Sequence, residues 1–243
     1  MQPLDSLGLT VRDHSGKTKI WDKKYKMEIE KGCDTTYGIR CYTDGSKSSR
    51  GTGAGGCIMR DDKVTKTRAY GLTDSTTVFQ GELHAIKMAA NTIKEVTKPG
   101  EKVEIMCDSQ AAIKALENYE TTSALVSTTK LELNKACDTN PIIIKWIKAH
   151  VNHKGNEIGD RAAKTGCCLP TKEQIPVSRV FVKNKIKEEL YNKWSRRWQT
   201  APDCRQTFLF FPCTDQTKSK EVIRMNRYDL GIIVKIHHRV CTP

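Results

Sequence analysis

Three strand-like segments follow one another between residues 39 and 72, and their connections are so short that few arrangements are open to them. The segments are residues 39–43, 51–59 and 64–72, and the polar turn Arg60-Asp61-Asp62 separates the last two. Connections of this length join antiparallel neighbours, since a parallel crossover needs a dozen or more residues. The segments therefore predict an antiparallel meander.

A long helix pattern follows the meander, over about residues 75–96. Its apolar residues recur at helical spacing and form one stripe: Phe79, Leu83, Ile86, Ala90 and Ile93. Further strands are predicted at 103–107 and 142–147, and further helices from Ser109, at about 122–137 and at about 156–165. The order β-β-β-α-β-α-α-β-α predicts an α/β fold, a mixed five-stranded sheet (antiparallel meander plus parallel strands) flanked by helices.

The composition favours an intracellular protein with a polyanionic partner. The formal net charge is +13, which favours nucleic acid before an anionic membrane surface. No apolar run approaches the roughly 18–20 residues that span a bilayer, and the N-terminus lacks the apolar core of a secretory signal. The 10 Cys lack zinc-site spacing and are expected to be reduced thiols, in the cytoplasm and/or nucleus. We expect no membrane association and no small-molecule cofactor.

Charge and patterning divide the chain into three parts. Residues 1–37 are polar and weakly patterned and are predicted to be a leader or linker, and residues 38–169 form the predicted sheet domain. Residues 170–243, a basic and helical C-terminal extension, carry 15 Lys and Arg against 7 Asp and Glu. In this extension apolar residues recur every four positions: Val182, Ile186, Leu190, Trp194 and Trp198. The pattern predicts an amphipathic basic helix that docks its Trp stripe on a neighbour, and a nucleic-acid reader is the second interpretation.

Four carboxylates fall at strand ends or on inward helix faces. Asp44 and Asp108 come directly after predicted strands, at the edge of an α/β sheet where ligands bind. Glu82 lies on the apolar stripe of the long helix, and Asp160 shares a helix face with Ala163, so both are expected to point inward. Carboxylates gathered in one place repel one another, and Mg²⁺ or Mn²⁺ bound by oxygen ligands is the usual remedy. The four acids predict a site for two divalent ions that supports in-line displacement at phosphorus.

Each acid also has a structural interpretation when it is taken alone. Asp44 would suit a turn and Asp108 a helix cap, while Glu82 or Asp160 would suit an ion pair with a nearby Lys or Arg. The metal-site hypothesis therefore depends on four acids occurring at suitable places in one architecture.

Four motifs in the chain resemble ribonuclease H. They are YTDGS at 42–46, GELHAI at 81–86, CDSQAA at 107–112 and WIKAHVNHKGNEIGDRAAK at 146–164. The resemblance covers about residues 38–166 and is closest to the ribonuclease H domain that follows reverse transcriptase in non-LTR retrotransposon polyproteins. It implies a ribonuclease H-like fold, hydrolysis of the RNA strand of RNA/DNA hybrids, and either a polyprotein fragment or a stand-alone derivative.

The resemblance also implies roles for individual residues. Its metal ligands would be Asp44, Glu82, Asp108 and Asp160. Its nucleic-acid contacts would be Ser46, Gln80 and Asn156, and Asn156 would also cap the last helix. His150 would assist proton transfer or product release, whereas His153 would be an extra surface histidine. Cellular members often carry Asn or Gln just before the helix Glu to contact the RNA 2′-hydroxyl, and Val78 and Phe79 stand there in this chain.

The resemblance further implies a two-metal endonuclease whose products carry 5′-phosphates. An ion held by Asp44 and Asp160 would activate water, and an ion held by Asp44, Glu82 and Asp108 would stabilise the leaving 3′-oxygen. The expected partners are the RNA/DNA hybrid and an upstream reverse transcriptase. The alternatives are a catalytically inactive hybrid- or RNA-binding module, an integrase of the same fold and a structural connection domain. The intact acids argue against the inactive module and the connection domain, and Glu82 on the long helix together with the motif at 146–164 argues against a transposase or integrase.

Overall fold

The computed structural model describes residues 13–14, 16–20, 22–28, 38–149, 153–170, 172–200, 220–221 and 224–240. The strands are β1 (Thr18–Lys19), β2 (Lys26–Glu28), β3 (Ile39–Ser48), β4 (Gly51–Arg60), β5 (Lys63–Leu72), β6 (Val103–Cys107), β7 (Glu120–Thr121) and β8 (Ile142–Trp146). The helices are α1 (Val78–Val96), α2 (Gln110–Glu117), α3 (Ala124–Cys137), α4 (Lys154–Cys167), α5 (Arg179–Thr200) and α6 (Arg227–Val240).

The main sheet has the strand order β2-β8-β6-β3-β4-β5. Strands β3, β4 and β5 form an antiparallel meander, and β6 and β8 continue the sheet in parallel from β3. The predicted mixed sheet is therefore confirmed. A sixth strand, β2, comes from the segment predicted as a leader and pairs in parallel with β8. A strand of three residues, two of them charged, is too short and too polar to be predicted from its own sequence.

Strand β3 is longer than the sequence predicts, and Asp44 lies within it rather than at its end. The pairing of β3 with β4 runs without interruption from Ile39 opposite Arg60 to Ser48 opposite Gly51. The prediction that the strand ends at residue 43, with Asp44 suited to a turn before Gly45-Ser46, is wrong because the antiparallel partner keeps these residues extended. Asp44 is opposite Gly55 in this ladder.

The hydrophobic core lies between the sheet and α1, α2 and α3. The apolar stripe of α1 is buried, with Leu83, Ile86 and Ile93 all 0 % exposed. Burial of side chains of this size contributes about 1.5–3 kcal/mol each. The helix begins after a capping box in which Thr77 and Gln80 bond reciprocally. Burial in the core therefore fixes the position of α1, and the capping box fixes its first turn.

Helix α4 lies directly on the backbone of β4, on the other face of the sheet. A Cβ atom at Gly55 would lie 2.3 Å from the Ala163 backbone nitrogen, and one at Gly53 would lie 2.3 Å from the Ala163 carbonyl oxygen. Glycine is required at both positions because any larger residue would push the helix away. The GTGAGG stretch is therefore what allows α4 to approach β3 and β4 closely.

Residues on both sides of the predicted sheet domain also pack on it. Residues 172–177 run along β5, where Glu173 accepts from Thr73 and donates to Gly71 through its backbone, and Ile175 and Val177 are buried. Asp13 accepts from Ser123 at 2.8 Å. The chain divides into two compact units, Met1–Phe181 and Val182–Pro243. The predicted limits at residues 37 and 169 remain predictions about which segments fold independently.

The basic extension is helical where it is described, as α5 and α6. No residue of α5 is buried. Among the described residues, every helix is too short or too polar to cross a bilayer.

Candidate functional site: an acidic cleft

Three carboxylates converge at one end of the parallel strands. Thr43 of β3 is paired with Cys107 of β6, so the residues that follow them, Asp44 and Asp108, are neighbours at the same end. Glu82 reaches them from α1. The nearest carboxylate oxygens of Asp44, Glu82 and Asp108 all lie within 4.8 Å of one another.

Gly45 lets α1 come close enough to add Glu82 to this group. A Cβ atom at Gly45 would lie 2.5 Å from the Glu82 backbone nitrogen and 2.8 Å from the Gly81 carbonyl carbon. The backbone of β3 and the second turn of α1 are thus in direct contact. The glycine after Asp44 therefore serves helix packing rather than the predicted turn.

Burial and like charge both disfavour ionisation of the cluster. The pKa of Glu82 is raised to about 9, first by burial and then by the neighbouring Asp44 and Asp108 carboxylates. The pKa of Asp44 is raised to about 6, first by burial and then by Asp108 and Asp160. Glu82 is 6 % exposed, and its Oε2 has no hydrogen-bond partner among the described residues. A buried carboxylate oxygen without a partner is costly, which makes the cluster a good acceptor for a cation.

Asp160 lies on the α4 side of the same cleft. It raises the pKa of Asp44, so it is near enough to interact electrostatically with the cluster. Its Oδ2 accepts from the Lys164 ammonium at 2.7 Å, one helical turn further along α4. The ion pair with Lys164 that was considered for Asp160 alone is therefore present. The structure brings three of the predicted acids into direct proximity and places the fourth at the rim of the same cleft.

Asn156 is positioned by α4 next to Asp108. Its Nδ2 donates to Asp108 Oδ2 at 3.4 Å, and its Oδ1 is buried without a partner among the described residues. Asn156 does not cap the helix as predicted, since α4 begins at Lys154 with His153 as its N-cap. The helix starts two residues before Asn156, and Gly155 in its first turn packs against the Tyr42 ring.

His153 is a cleft residue that the sequence analysis treated as an extra surface histidine. It lines the cleft together with Glu157, and its side chain makes no capping hydrogen bond. Its spacing from Asp160, seven residues along a helix, is the signal that could have placed it on the same face. His150 lies outside the described residues.

Of the other residues predicted to contact nucleic acid, the structure places Ser46 in the cleft and Gln80 away from it. Ser46 is half-buried and lines the cleft. Gln80 is fully buried, and its Nε2 donates to the Pro176 carbonyl at 2.6 Å and to Asp13 at 3.2 Å. Because these contacts occupy the amide, we do not retain Gln80 among the proposed nucleic-acid contacts.

The cleft is open, and the segments around it are held by side chains that donate to backbone carbonyls. Its volume is about 300 Å³. The Trp146 indole at the end of β8 donates to the Asp108 carbonyl at 3.0 Å. Lys47 donates to the carbonyls of Asp74 and Thr76, at 3.0 and 2.7 Å, in the loop before α1. These contacts fix the segments that carry the acids.

The donor set of the cleft suits a hard divalent cation. Its acids offer oxygen ligands, and its one described histidine side chain lies at the rim. Mg²⁺ and Mn²⁺ prefer such ligands, and a soft-metal site would need Cys or several His. The unpaired Glu82 oxygen and the raised pKa values are the features that a bound cation would relieve.

Comparison with known proteins identifies the family. The RNase H family matches residues 37–168 of this chain. Ribonuclease HI of Haemophilus influenzae is 30 % identical over 150 residues, which cover 56 % of this chain and 94 % of that protein. Ribonuclease HI of Pasteurella multocida is 31 % identical over 150 residues, with the same coverage of both chains.

Among solved structures, RNase H1 from the halophilic archaeon Halobacterium salinarum is similar, with 16 % identity and a TM-score of 0.45 over 53 % of this chain and 96 % of that one. The family match covers more than half of the chain, and the bacterial relatives are matched over nearly their whole length. The chain therefore belongs to the RNase H family and is an enzyme of the ribonuclease H type.

Proposed function

We propose that the acidic cleft hydrolyses the RNA strand of RNA/DNA hybrids as an endonuclease, leaving 5′-phosphate and 3′-hydroxyl ends. The observation that carries this proposal is the cluster of Asp44, Glu82 and Asp108, whose oxygens lie within 4.8 Å of one another around an unpaired buried oxygen. A group of this kind serves no purpose in packing, because it raises the free energy of the folded chain. Membership of the RNase H family supports the same activity.

Divalent ions, Mg²⁺ or Mn²⁺ and two for each site, are proposed to bind in the cleft. The ligands would be Asp44, Glu82, Asp108 and Asp160, all of which line it. When bound, such ions lower the pKa of water and stabilise charge on the leaving oxygen. The high pKa of Glu82 means that the cluster carries a proton at neutral pH, and this proton must leave before Glu82 can act as a ligand.

Other residues are proposed to orient the acids and the substrate. Asn156 holds Asp108 through its amide, and so links α4 to the end of β6. Ser46 and Asn156 line the cleft and are proposed to contact nucleic acid. The 2′-hydroxyl is the group that distinguishes the RNA strand from DNA. His150 is proposed to assist proton transfer or product release.

The chain is further proposed to derive from a non-LTR retrotransposon polyprotein, with a reverse transcriptase as partner. The support is the motif resemblance, which includes GTGAGG at 51–56 and VFQGE at 78–82. The relatives named above are bacterial ribonucleases HI. Reading the genomic sequence upstream of this coding region tests the proposal. A reverse transcriptase reading frame is expected there, and an unrelated gene would contradict it.

Cleavage of an end-labelled RNA/DNA hybrid tests the proposed activity. We expect Mg²⁺ or Mn²⁺ to support cutting of the RNA strand alone, with duplex RNA left intact and EDTA abolishing the reaction. Asp108→Asn removes a ligand and is expected to abolish cutting. Asp138→Asn is the matched control, because Asp138 is an exposed residue of α3's C-terminus that pairs with Lys24. Hybrid binding without cutting would favour the inactive binding module.

A further inference from the structure

Helix α5 carries an exposed surface that the acidic cleft does not use. None of its residues is buried, and its large apolar side chains are open to solvent, with Leu190 61 %, Tyr191 47 % and Trp194 43 % exposed. The docking of the Trp stripe on a neighbouring element stays a prediction. The amphipathic pattern is present, and the question is what kind of partner it fits.

Aromatic rings and a set of cations share one face of α5, on which Tyr191 and Trp194 are exposed and Trp198 is half-buried. We call this the basic-aromatic face, and its aromatic and cationic residues are Lys183, Lys187, Tyr191, Lys193, Trp194, Arg197 and Trp198. At 3.6 residues per turn, these seven residues fall within an arc of about 160° around the helix axis. The acids Glu188 and Glu189 lie outside the arc. Arg179 and the exposed aliphatic residues Val180, Ile186 and Leu190 also fall within the arc. Every charged residue of the face is therefore a cation, and its apolar surface is both aromatic and aliphatic.

The cations of this face differ from those on the other side of the helix. Lys185, on the other side, pairs with Glu188 at 2.8 Å. Lys183, Lys187, Lys193 and Arg197 form no ion pair within the described part of the chain. A protein surface that covered this face would have to dehydrate four cations, which is costly unless that surface supplies carboxylates. The regularly spaced charges of a polyanion would pair with these four cations.

The aromatic side chains indicate which kind of polyanion the face would bind. Trp194 and Trp198 are stacked, with ring centroids 5.4 Å apart and an angle of 13° between the planes. A flat exposed indole offers a stacking surface to a base, and only an unpaired base has a free face to place on it. The cations from Lys183 to Arg197 extend over about 21 Å of the helix axis, long enough to follow several phosphates.

From these observations we propose that the basic-aromatic face of α5 binds single-stranded nucleic acid. Lysine and arginine side chains contact phosphates, and Trp194 stacks on an unpaired base. This contact is additional to the proposed cleavage of hybrids and involves none of the residues of the acidic cleft.

Binding of the full chain to a fluorescein-labelled 15-nucleotide single-stranded DNA, in EDTA, tests the proposal by fluorescence anisotropy. DNA is chosen because a ribonuclease H leaves it intact. Trp194→Ala is expected to weaken binding about tenfold, the loss of one base stack, and Trp194→Phe to restore most of it. Lys183→Gln/Lys187→Gln is expected to reduce the slope of log affinity against log salt by about 1.4, from two lost phosphate contacts.

The matched control, Lys185→Gln/Arg196→Gln, removes the same charge from the other side of α5 and is expected to leave both affinity and slope near wild type. Equal weakening by the two pairs would overturn the proposal in favour of a non-specific charge effect. Wild-type affinity in Trp194→Ala would also overturn it. A lowered melting temperature for Trp194→Ala with unchanged binding would indicate packing against protein instead. Cleavage of a blunt hybrid, measured in Mg²⁺ with the same protein preparations, reports on the cleft separately, so failure of one proposal is distinguishable from failure of the other.

Discussion

Replacing Glu82 with Gln is expected to stabilise the metal-free protein at neutral pH. Burial and the Asp44 and Asp108 carboxylates raise the pKa of Glu82 from 4.5 to about 9. Between these values the folded chain keeps a proton that the unfolded chain has released, so the folded state binds more protons and stability falls as pH rises. Each pH unit in this window costs about 1.4 kcal/mol. From pH 4.5 to pH 7 the loss is about 3 kcal/mol, which Glu82→Gln avoids because an amide needs no proton.

Thermal unfolding in EDTA at pH 4.5, 7 and 9 measures this effect. For a protein of this size a stabilisation of about 3 kcal/mol raises the melting temperature by about 6–12 °C at pH 7. The gain should vanish near pH 4.5 and grow toward pH 9. Excess Mg²⁺ should reverse the order, because only the carboxylate is a good ligand. A Glu82→Gln protein that is no more stable than wild type at pH 7, or a gain that does not change with pH, would show that Glu82 does not hold a proton at neutral pH.

Glu101→Gln is the control with the opposite sign. The pKa of Glu101 is lowered to about 2, first by its hydrogen bonds with the Arg60 guanidinium and then by the Lys98 backbone amide. A lowered pKa contributes stability above the ordinary value of 4.5, and this contribution is lost as pH falls toward 2. Glu101→Gln should therefore destabilise at pH 7 and have little effect at the acid end. The two variants make the same chemical change, so a shared direction at pH 7 would point to an artefact of the substitution.

Three further predictions concern the elements around the cleft. Gly55→Ala places a Cβ atom 2.3 Å from the α4 backbone and should destabilise by about 1–3 kcal/mol or more in thermal unfolding, whereas Gly159→Ala, with its nearest neighbour at 3.7 Å, should be tolerated. Lys164→Met frees Asp160 from its ion pair and should tighten Mg²⁺ binding about two- to fivefold in calorimetric titration, and weaker binding would contradict this. Ile175→Ala, a residue 4 % exposed, should cost about 2–5 kcal/mol in denaturant unfolding if residues 172–177 belong to the folded unit, and an unchanged midpoint would exclude them.

The elements of the sheet domain could be read from the sequence because each carries its own periodicity. The α1 stripe and the apolar run of β8 appear where they were expected. The end of β3 could not be read, because Gly45-Ser46 has the chemistry of a turn and only pairing with residues 51–54 of β4 keeps it extended. Local turn preference was overridden by a tertiary partner that lies several residues further along the chain.

The acids of the cleft could be placed from the sequence, but their surroundings could not. Strand ends and helix faces placed Asp108 and Glu82 on the elements where the structure has them, whereas Asp44 lies within β3 rather than at its end. The burial of Gln80 depends on Asp13 and Pro176, which are distant in sequence, so no local pattern could reveal it. His153 was missed because the start of α4 was placed too late, which moved it off the helix.

In α5, the amphipathic pattern of the sequence identifies the apolar face of the helix but does not identify the partner of that face. The four-residue repeat of apolar side chains favoured packing on protein. Only the structure shows that Leu190 and Trp194 are exposed, whereas the absence of acids from the same arc follows from the sequence and helical spacing. Because every charged residue of the basic-aromatic face is a cation, a nucleic-acid partner is favoured over a protein partner.

The carboxylates of β3, α1 and β6 are proposed to form a divalent-metal site. Calorimetric titration of the full chain with Mg²⁺ at pH 7, in two buffers of different ionisation enthalpy, tests for this site. Saturable binding is expected, and it should be lost in Asp108→Asn and retained in Asp138→Asn. Release of about one proton is also expected, because Glu82 must give up the proton that its pKa of about 9 holds in the free protein. Binding that survives in Asp108→Asn, or binding without proton release, would rule out a metal site of this kind.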